Sequence, residues 1–393
     1  MNKNVWLLFA CQALTSAVMS GQTVMASLVG YKLSGTALNT LPIAIQMVAV
    51  MAASVVAGYA FPRFGRRGGF WLGCAIMMCG SMTFALGIYT GNFVIYCLGA
   101  IPAGLGFGIA QHLRFAAAEV ADPHAKARAI SLVLAGGVVA AIIGPEVVKR
   151  TNALIPDDVF LATYLCLLVL PVITAVLLSF VRVPPAPIRS SVPVPFRAIF
   201  ARPDFVTAVV SSLVGYGTMI LVMASTPLQM LMCGLGVGAS ADVIRVHSIA
   251  MYLPGFVTGR LIQKFGVHQI IIAGGVLTLG CVAVNVYQPP LLATFMIALG
   301  LLGLGWNFMF VGGTTILTTA YAPEERVRVQ ATHDFIVFGS VALTAVTSGA
   351  VQATAGWEAL NLTAVPPVLI AFAVVGWHWV ARSRPAVLRP STF

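Results

Sequence analysis

Gly58-Tyr59-Ala60-Phe61-Pro62-Arg63-Phe64-Gly65-Arg66-Arg67 decides the fold of this chain. Uncharged apolar runs flank it, at 41–60 and 70–89, and the basic charge is confined to the ten residues quoted and their edge. A hydrocarbon layer about 30 Å thick needs about 20 residues of helix to cross it. Two such runs joined by a short arginine-rich loop therefore read as two membrane helices connected on one side of a bilayer. The stretch then recurs. Gly259-Arg-Leu-Ile-Gln-Lys264-Phe-Gly266 places Gly, a basic residue and Gly each 201 positions after Gly58, Arg63 and Gly65. Gly104-Leu-Gly106-Phe107 recurs as Gly303-Leu-Gly305-Trp306, and Pro123-His-Ala-Lys126-Ala-Arg128 as Pro323-Glu-Glu-Arg326-Val-Arg328. Three matches at nearly one offset predict two similar halves.

Composition agrees. The 393 residues include 22 Lys+Arg and 11 Asp+Glu, so 8% are charged, against 59% hydrophobic and a mean hydropathy of +0.96. A soluble domain carries about 25% charged residues to wet its surface. Soluble enzymes, disulfide scaffolds and disordered chains are thereby excluded. The seven cysteines contain no CxxC pair, so neither a disulfide framework nor a zinc ribbon is indicated. Twelve apolar spans are predicted: 5–29, 41–60, 70–89, 93–119, 129–148, 160–181, 205–232, 243–262, 267–286, 291–320, 335–354 and 359–380. They are too long for membrane strands, which need about 10 residues. The first follows Met1-Asn2-Lys3-Asn4 and is interrupted by Gln12, Thr15, Ser16 and Gln22, as expected of a helix that is retained.

With twelve spans both termini share a side. Of the 22 basic residues, 17 fall on that side and only Lys32, Lys149 and Arg150 fall opposite, with Arg114 and Arg245 near helix ends. Positive charge accumulates on the cytoplasmic side, so both termini are expected in the cytoplasm. The net charge of +11 marks sidedness, and no nucleic-acid partner is implied. The polar break at 182–204, with six prolines, is expected to link an N-terminal half, 1–181, to a C-terminal half, 205–393.

Over its whole length this pattern resembles the major facilitator superfamily. The family's loop motif is G-x-x-x-D-R-x-G-R-R; Gly58, Arg63, Gly65, Arg66 and Arg67 match it, while Pro62, and Gln263 in the second copy, stand where the acidic residue is expected. Gly144-Pro145 resembles a motif of the superfamily's proton-coupled antiporters. The resemblance implies an all-α membrane protein with twelve transmembrane helices in two six-helix, pseudo-symmetric halves. It also implies a multi-pass transporter of the bacterial inner membrane with its substrate site between the halves.

The acidic residues all lie in loops or near helix ends, so no carboxylate is expected at mid-depth to relay protons or hold a hard cation. No nucleophile–base motif, Walker loop or HExxH occurs, and the chain is not expected to be an enzyme or to hold a cofactor. What lies deep is sulfur and imidazole. Span 7 carries Met219 and Met223, and span 8 carries His247 and Met251, each pair sharing a helix face. At ~1.5 Å per residue, Met219 and Met251 lie ~21 Å from the cytoplasmic ends of their spans, and Met223 and His247 ~27 Å. Random placement gives roughly 0.5 MxxxM pairs in such a chain, and most such pairs pack. Met47/Met51 and Met78/Met82 fit that description. Paired motifs at one depth on consecutive spans do not. Thioethers and imidazole are soft, neutral donors suited to Cu(I).

Those two motifs resemble the CcoA-like copper importers, the CalT group. The resemblance implies that Met219, Met223, His247 and Met251 bind copper, carried as substrate from periplasm to cytoplasm by alternating access. It further implies supply to cytochrome oxidase assembly through a cytoplasmic chaperone or acceptor, and a monomer in the lipid bilayer. Cys233, Met230 and Met232 at the outer end of span 7 are candidates for first capture of the ion. Gln111 and His112 on span 4, with Asn307 and Met309 on span 10, are candidates for the substrate path. The alternative is a carrier of an organic solute such as riboflavin or a drug-like compound, with Tyr216, Tyr252, Trp306, Phe308 and Phe310 supplying a stacking pocket.

Overall fold

A chain in lipid must close its backbone hydrogen bonds within itself, and here it does so with helices alone among the described residues. The computed structural model describes residues 3–35, 38–122, 126–156, 159–182, 195–322 and 325–383. In the first half the helices are α1 Lys3–Ser34, α2 Leu41–Tyr89, α3 Phe93–Ala110, α4 Leu113–Val120, α5 Lys126–Leu134, α6 Gly136–Thr151 and α7 Leu161–Ser179. After α8, Phe196–Phe200, come α9 Pro203–Met232, α10 Val237–Tyr252, α11 Gly255–Phe265, α12 Val267–Tyr287, α13 Leu292–Leu317, α14 Arg326–Leu362 and α15 Val365–Ser383. The centre of the expected linker, 183–194, and the repeat residues Pro123 and Pro323 lie outside the described residues.

The loop motif turns the chain between two helical parts of α2. Gly65 alone within α2 has non-helical angles, with φ +70°, a region open to glycine because it has no Cβ. The neighbours of α3 prove the reversal. A Cβ on Gly104 would overlap the Gln46 carbonyl, and one on Gly108 would overlap Ala53, so the first part of α2 runs parallel to α3. Gly73 abuts Ile109, Gly80 abuts Ala103 and Gly87 abuts Tyr96, so the second part runs antiparallel. The repeat counterpart of Gly65, Gly266, has φ +91° between α11 and α12, and Gly356, at φ +83°, marks a separate break within α14. Nine segments among the described residues are long and apolar enough to cross a membrane. Two of them contain these reversals, and α10 and α11 form a further, broken crossing, which yields the twelve predicted passes.

The second half repeats these contacts. Gly303 abuts the His247 carbonyl as Gly104 abuts that of Gln46, and Gly305 faces the Gly274 carbonyl as Gly106 faces that of Gly73. Backbones this close leave no room for side chains, which is why the glycines recur at the repeat offset.

One apolar cluster is confined to each half, around Ile109 and Leu113 in the first and Met309 and Ile316 in the second, and a third spans both. The halves meet along α1 and α9, α2 and α14, and α6 and α10. Lys149 Nζ donates to Asp242 at 2.8 Å, Arg245 pairs with Glu146, and the Gly349 N–H donates to Thr40 Oγ1 at 3.1 Å. These ties sit at the face away from the start of α1 and the end of α15, called here the far face. Among the described residues, the ion pairs that bridge the halves lie there. At the opposite, terminal face the ion pairs among the described residues stay within a half. Arg66 pairs with Glu119, and Arg202 holds Glu325 at 2.7 and 2.9 Å. That fork pulls the Glu325 carboxyl down to about 2 and raises the Arg202 guanidinium.

Candidate solute-binding site

Trp306 and Phe310 are four apart on α13 and therefore share a face. Their rings stack at 5.1 Å and 11°. Tyr216 of α9 meets both edge-on, at 5.5 and 5.6 Å, and also meets Phe338 of α14 at 5.6 Å. Tyr252, the last residue of α10, closes the group against Trp306 at 6.0 Å. Gly215 makes this possible, because a Cβ there would strike the Met309 side chain and push α9 off α13. The result is an aromatic box drawn from four helices of one half. Trp306 is only 8% exposed, yet its Nε1–H has no partner, while Tyr252 is 38% exposed at the rim. An aromatic wall carrying the unpartnered Trp306 donor and the phenol groups of Tyr216 and Tyr252 suits a flat, partly polar solute.

Of the predicted stacking residues, Phe308 is set apart, facing Gly274 of α12. Phe338 is not among the predicted stacking residues: it and Phe335 both lie on span 11, and no motif marks which of the two faces the box. Asn307 also has a definite task. Its Nδ2 donates to the Met251 carbonyl at 2.7 Å, and its Oδ1 accepts from Thr258 at 2.6 Å. It thereby clasps both sides of the break between α10 and α11, where Pro254 interrupts the span.

The proposed copper ligands are all buried, and Met219, Met223 and Met251 belong to the apolar cluster shared by the halves. His247 is fully buried. Its Nδ1 lies 2.8 Å from the Leu299 carbonyl, and its Nε2 has no partner. Among the described residues no three His, Cys, Asp or Glu side chains gather into a group able to hold a metal, so any ion there would rest on thioethers and one imidazole.

The secondary candidates do not converge. Met230 is buried, Met232 is exposed two residues later, and Cys233 caps α9, accepting from Gln229 at 3.5 Å. Met309 packs in the core of the second half. Gln111 and His112 mark the break between α3 and α4, and the His112 ring sits 3.2 Å from the Gly108 carbonyl and edge-on to Phe61.

The family description "Sugar (and other) transporter" matches residues 3–186. Riboflavin transporter RfnT of Brucella anthropi is 35% identical over 376 residues, covering 94% of each chain. The chain belongs to the major facilitator superfamily. This major facilitator is also 27% identical to the uncharacterised MFS-type transporter YddS of Bacillus subtilis, over 92% of its own length and 87% of that protein's. In structure it resembles a D-xylose–proton symporter, with a TM-score of 0.73 at 13% identity, over 95% of this chain and 97% of that one. A bacterial homologue of the human lysosomal transporter Spinster gives 0.71 at 14% identity, over 99% and 98%. It is a membrane-spanning transporter and not an enzyme.

Proposed function

We propose that this transporter carries a flavin-like aromatic solute, with riboflavin as the first candidate. The aromatic box of Tyr216, Tyr252, Trp306, Phe310 and Phe338 carries the reading, since stacked and edge-on rings suit an extended π-system. Its 35% identity to a protein named for riboflavin supports the same solute. This reading ranks the organic solute above copper. The test is uptake of labelled riboflavin by cells unable to make flavin. The transporter should restore uptake, and Trp306→Ala should raise KM about tenfold or more at equal expression, as loss of a stacked aromatic partner does. No uptake by the intact transporter would refute the reading.

Copper import remains a second reading, favoured by one observation: the unpartnered, buried Nε2 of His247 on the same helix as Met251 and beside the helix of Met219 and Met223. Labelled copper uptake unchanged in Met223→Leu and His247→Leu would remove it. The basic residues support a cytoplasmic terminal face in the bacterial inner membrane, which makes the far face periplasmic.

A further inference from the structure

Gly137 is the second residue of α6, just past the break at Ala135 that separates this helix from α5. A Cβ built on it would lie 2.9, 3.0 and 3.1 Å from Cγ, Cδ1 and Cδ2 of Tyr252. Two carbons in ordinary contact sit about 3.5–4.0 Å apart, so only glycine lets this ring lie directly on the α6 backbone. Among the glycines whose neighbours are described, Gly137 is the one at which an added Cβ would collide with the opposite half. The other tight approaches, such as Gly104 on Gln46 and Gly303 on His247, stay within a half.

That exception falls at the aromatic box. Tyr252 ends α10, and the same ring meets Trp306 at 6.0 Å and 72°. Both spans break at this level, α5 giving way to α6 at Ala135 and α10 to α11 at Leu253 and Pro254. On one side of the contact α6 packs closely on α10; on the other, among the described residues, α5 and α11 make no comparable contact. Tyr252 is 38% exposed, so its own half does not enclose it. The first half supplies the missing support, through a residue with no side chain.

We propose that Gly137 is a positioning residue of the solute site: the first half seats Tyr252 on the α6 backbone and so sets the wall against which a solute stacks. The inference rests on the aromatic box being that site. It follows that the box is complete only while α6 and α10 are packed. A solute held against Tyr252 then favours the packed arrangement, because a ligand that binds one state shifts the population towards it.

The experiment uses the purified, full-length transporter with riboflavin as the probe, its dissociation constant read from tryptophan quenching well below the thermal midpoint. Gly137→Ala is the perturbation. Alanine suits a helix better than glycine, so what it adds against the protein is a methyl group pressed on Tyr252. Binding should weaken about 2–10-fold, the factor carried by one aromatic pair. The loss should persist beside Tyr252→Phe, which keeps Cγ, Cδ1 and Cδ2, and vanish beside Tyr252→Ala, which removes the ring. A merely loosened fold would lower affinity in all three backgrounds. Thermal midpoints give an arm free of solute: Gly137→Ala should lower the midpoint beside Tyr252 and leave it unchanged or raised beside Tyr252→Ala. If the intact protein binds no riboflavin the flavin reading fails, and the seat stands or falls by the midpoints. Riboflavin affinity unchanged in Gly137→Ala, or a fall in affinity or midpoint that survives Tyr252→Ala, would overturn the proposal.

Discussion

Replacing Asn307 with leucine keeps the number of side-chain heavy atoms and removes both of its hydrogen bonds. Thr258 retains a partner, since its hydroxyl also reaches the Pro254 carbonyl at 2.8 Å. The Met251 carbonyl loses the amide that now meets it at 2.7 Å, inside the protein and out of reach of water. An orphaned buried acceptor costs about 1–3 kcal/mol, and hydrogen bonds between membrane helices sit towards the low end, at about 0.6–1.7 kcal/mol. We therefore expect a loss of about 1–2 kcal/mol. For a folding unit the size of one half, at about 2–4 °C per kcal/mol, the thermal midpoint should fall by about 2–8 °C. Unfolding followed by tryptophan fluorescence in detergent measures it.

The change should also reach the solute site. Tyr252 follows Met251 and packs on Trp306, so loosening the bend should move one wall of the aromatic box. Flavin affinity, read from quenching of Trp306, should fall in Asn307→Leu. If Asn307 acts through Tyr252, the double variant with Tyr252→Ala should bind no worse than Tyr252→Ala alone, because residues acting as one unit are not additive. A wild-type midpoint in Asn307→Leu, or full additivity with Tyr252→Ala, would refute the clasp.

Gly303→Leu should destabilise by about 1–3 kcal/mol or more through overpacking against the His247 backbone, whereas Gly376→Ala, with open space around it, should be neutral or slightly stabilising; thermal midpoints compare the two. Asp242→Asn removes one partly exposed inter-half ion pair, worth about 0.2–1 kcal/mol, so labelling of Cys233 by an impermeant maleimide should rise about 1.4–5-fold, read by mass spectrometry of the peptide. The Glu325 carboxyl is held at about 2, below its unfolded value of about 4.3, so its contribution is complete above that value and is lost as pH falls through about 2. Glu325→Gln should remove that part of the acid dependence of unfolding, and an unchanged acid profile would count against the tie to Arg202.

The sequence by itself determined the number of passes, the two halves and their repeat. Those features are one-dimensional, since apolar length is set by bilayer thickness and close helix contacts demand glycine at fixed offsets. Thus Gly65, Gly104 and Gly303 could be read before any coordinates, and Trp306, Phe310, Tyr216 and Tyr252 could be named as aromatic candidates. Which of them face one another could not be. Phe308 and Phe338 exchange places in the box because helix rotation and partner choice depend on packing across four helices, which no local pattern records. Asn307 looked like a residue of the substrate path, and only the broken span beside it shows a clasp. Gly137 and Tyr252, more than 100 positions apart, meet because α6 of one half packs on α10 of the other, a contact between distant segments that tertiary structure alone decides.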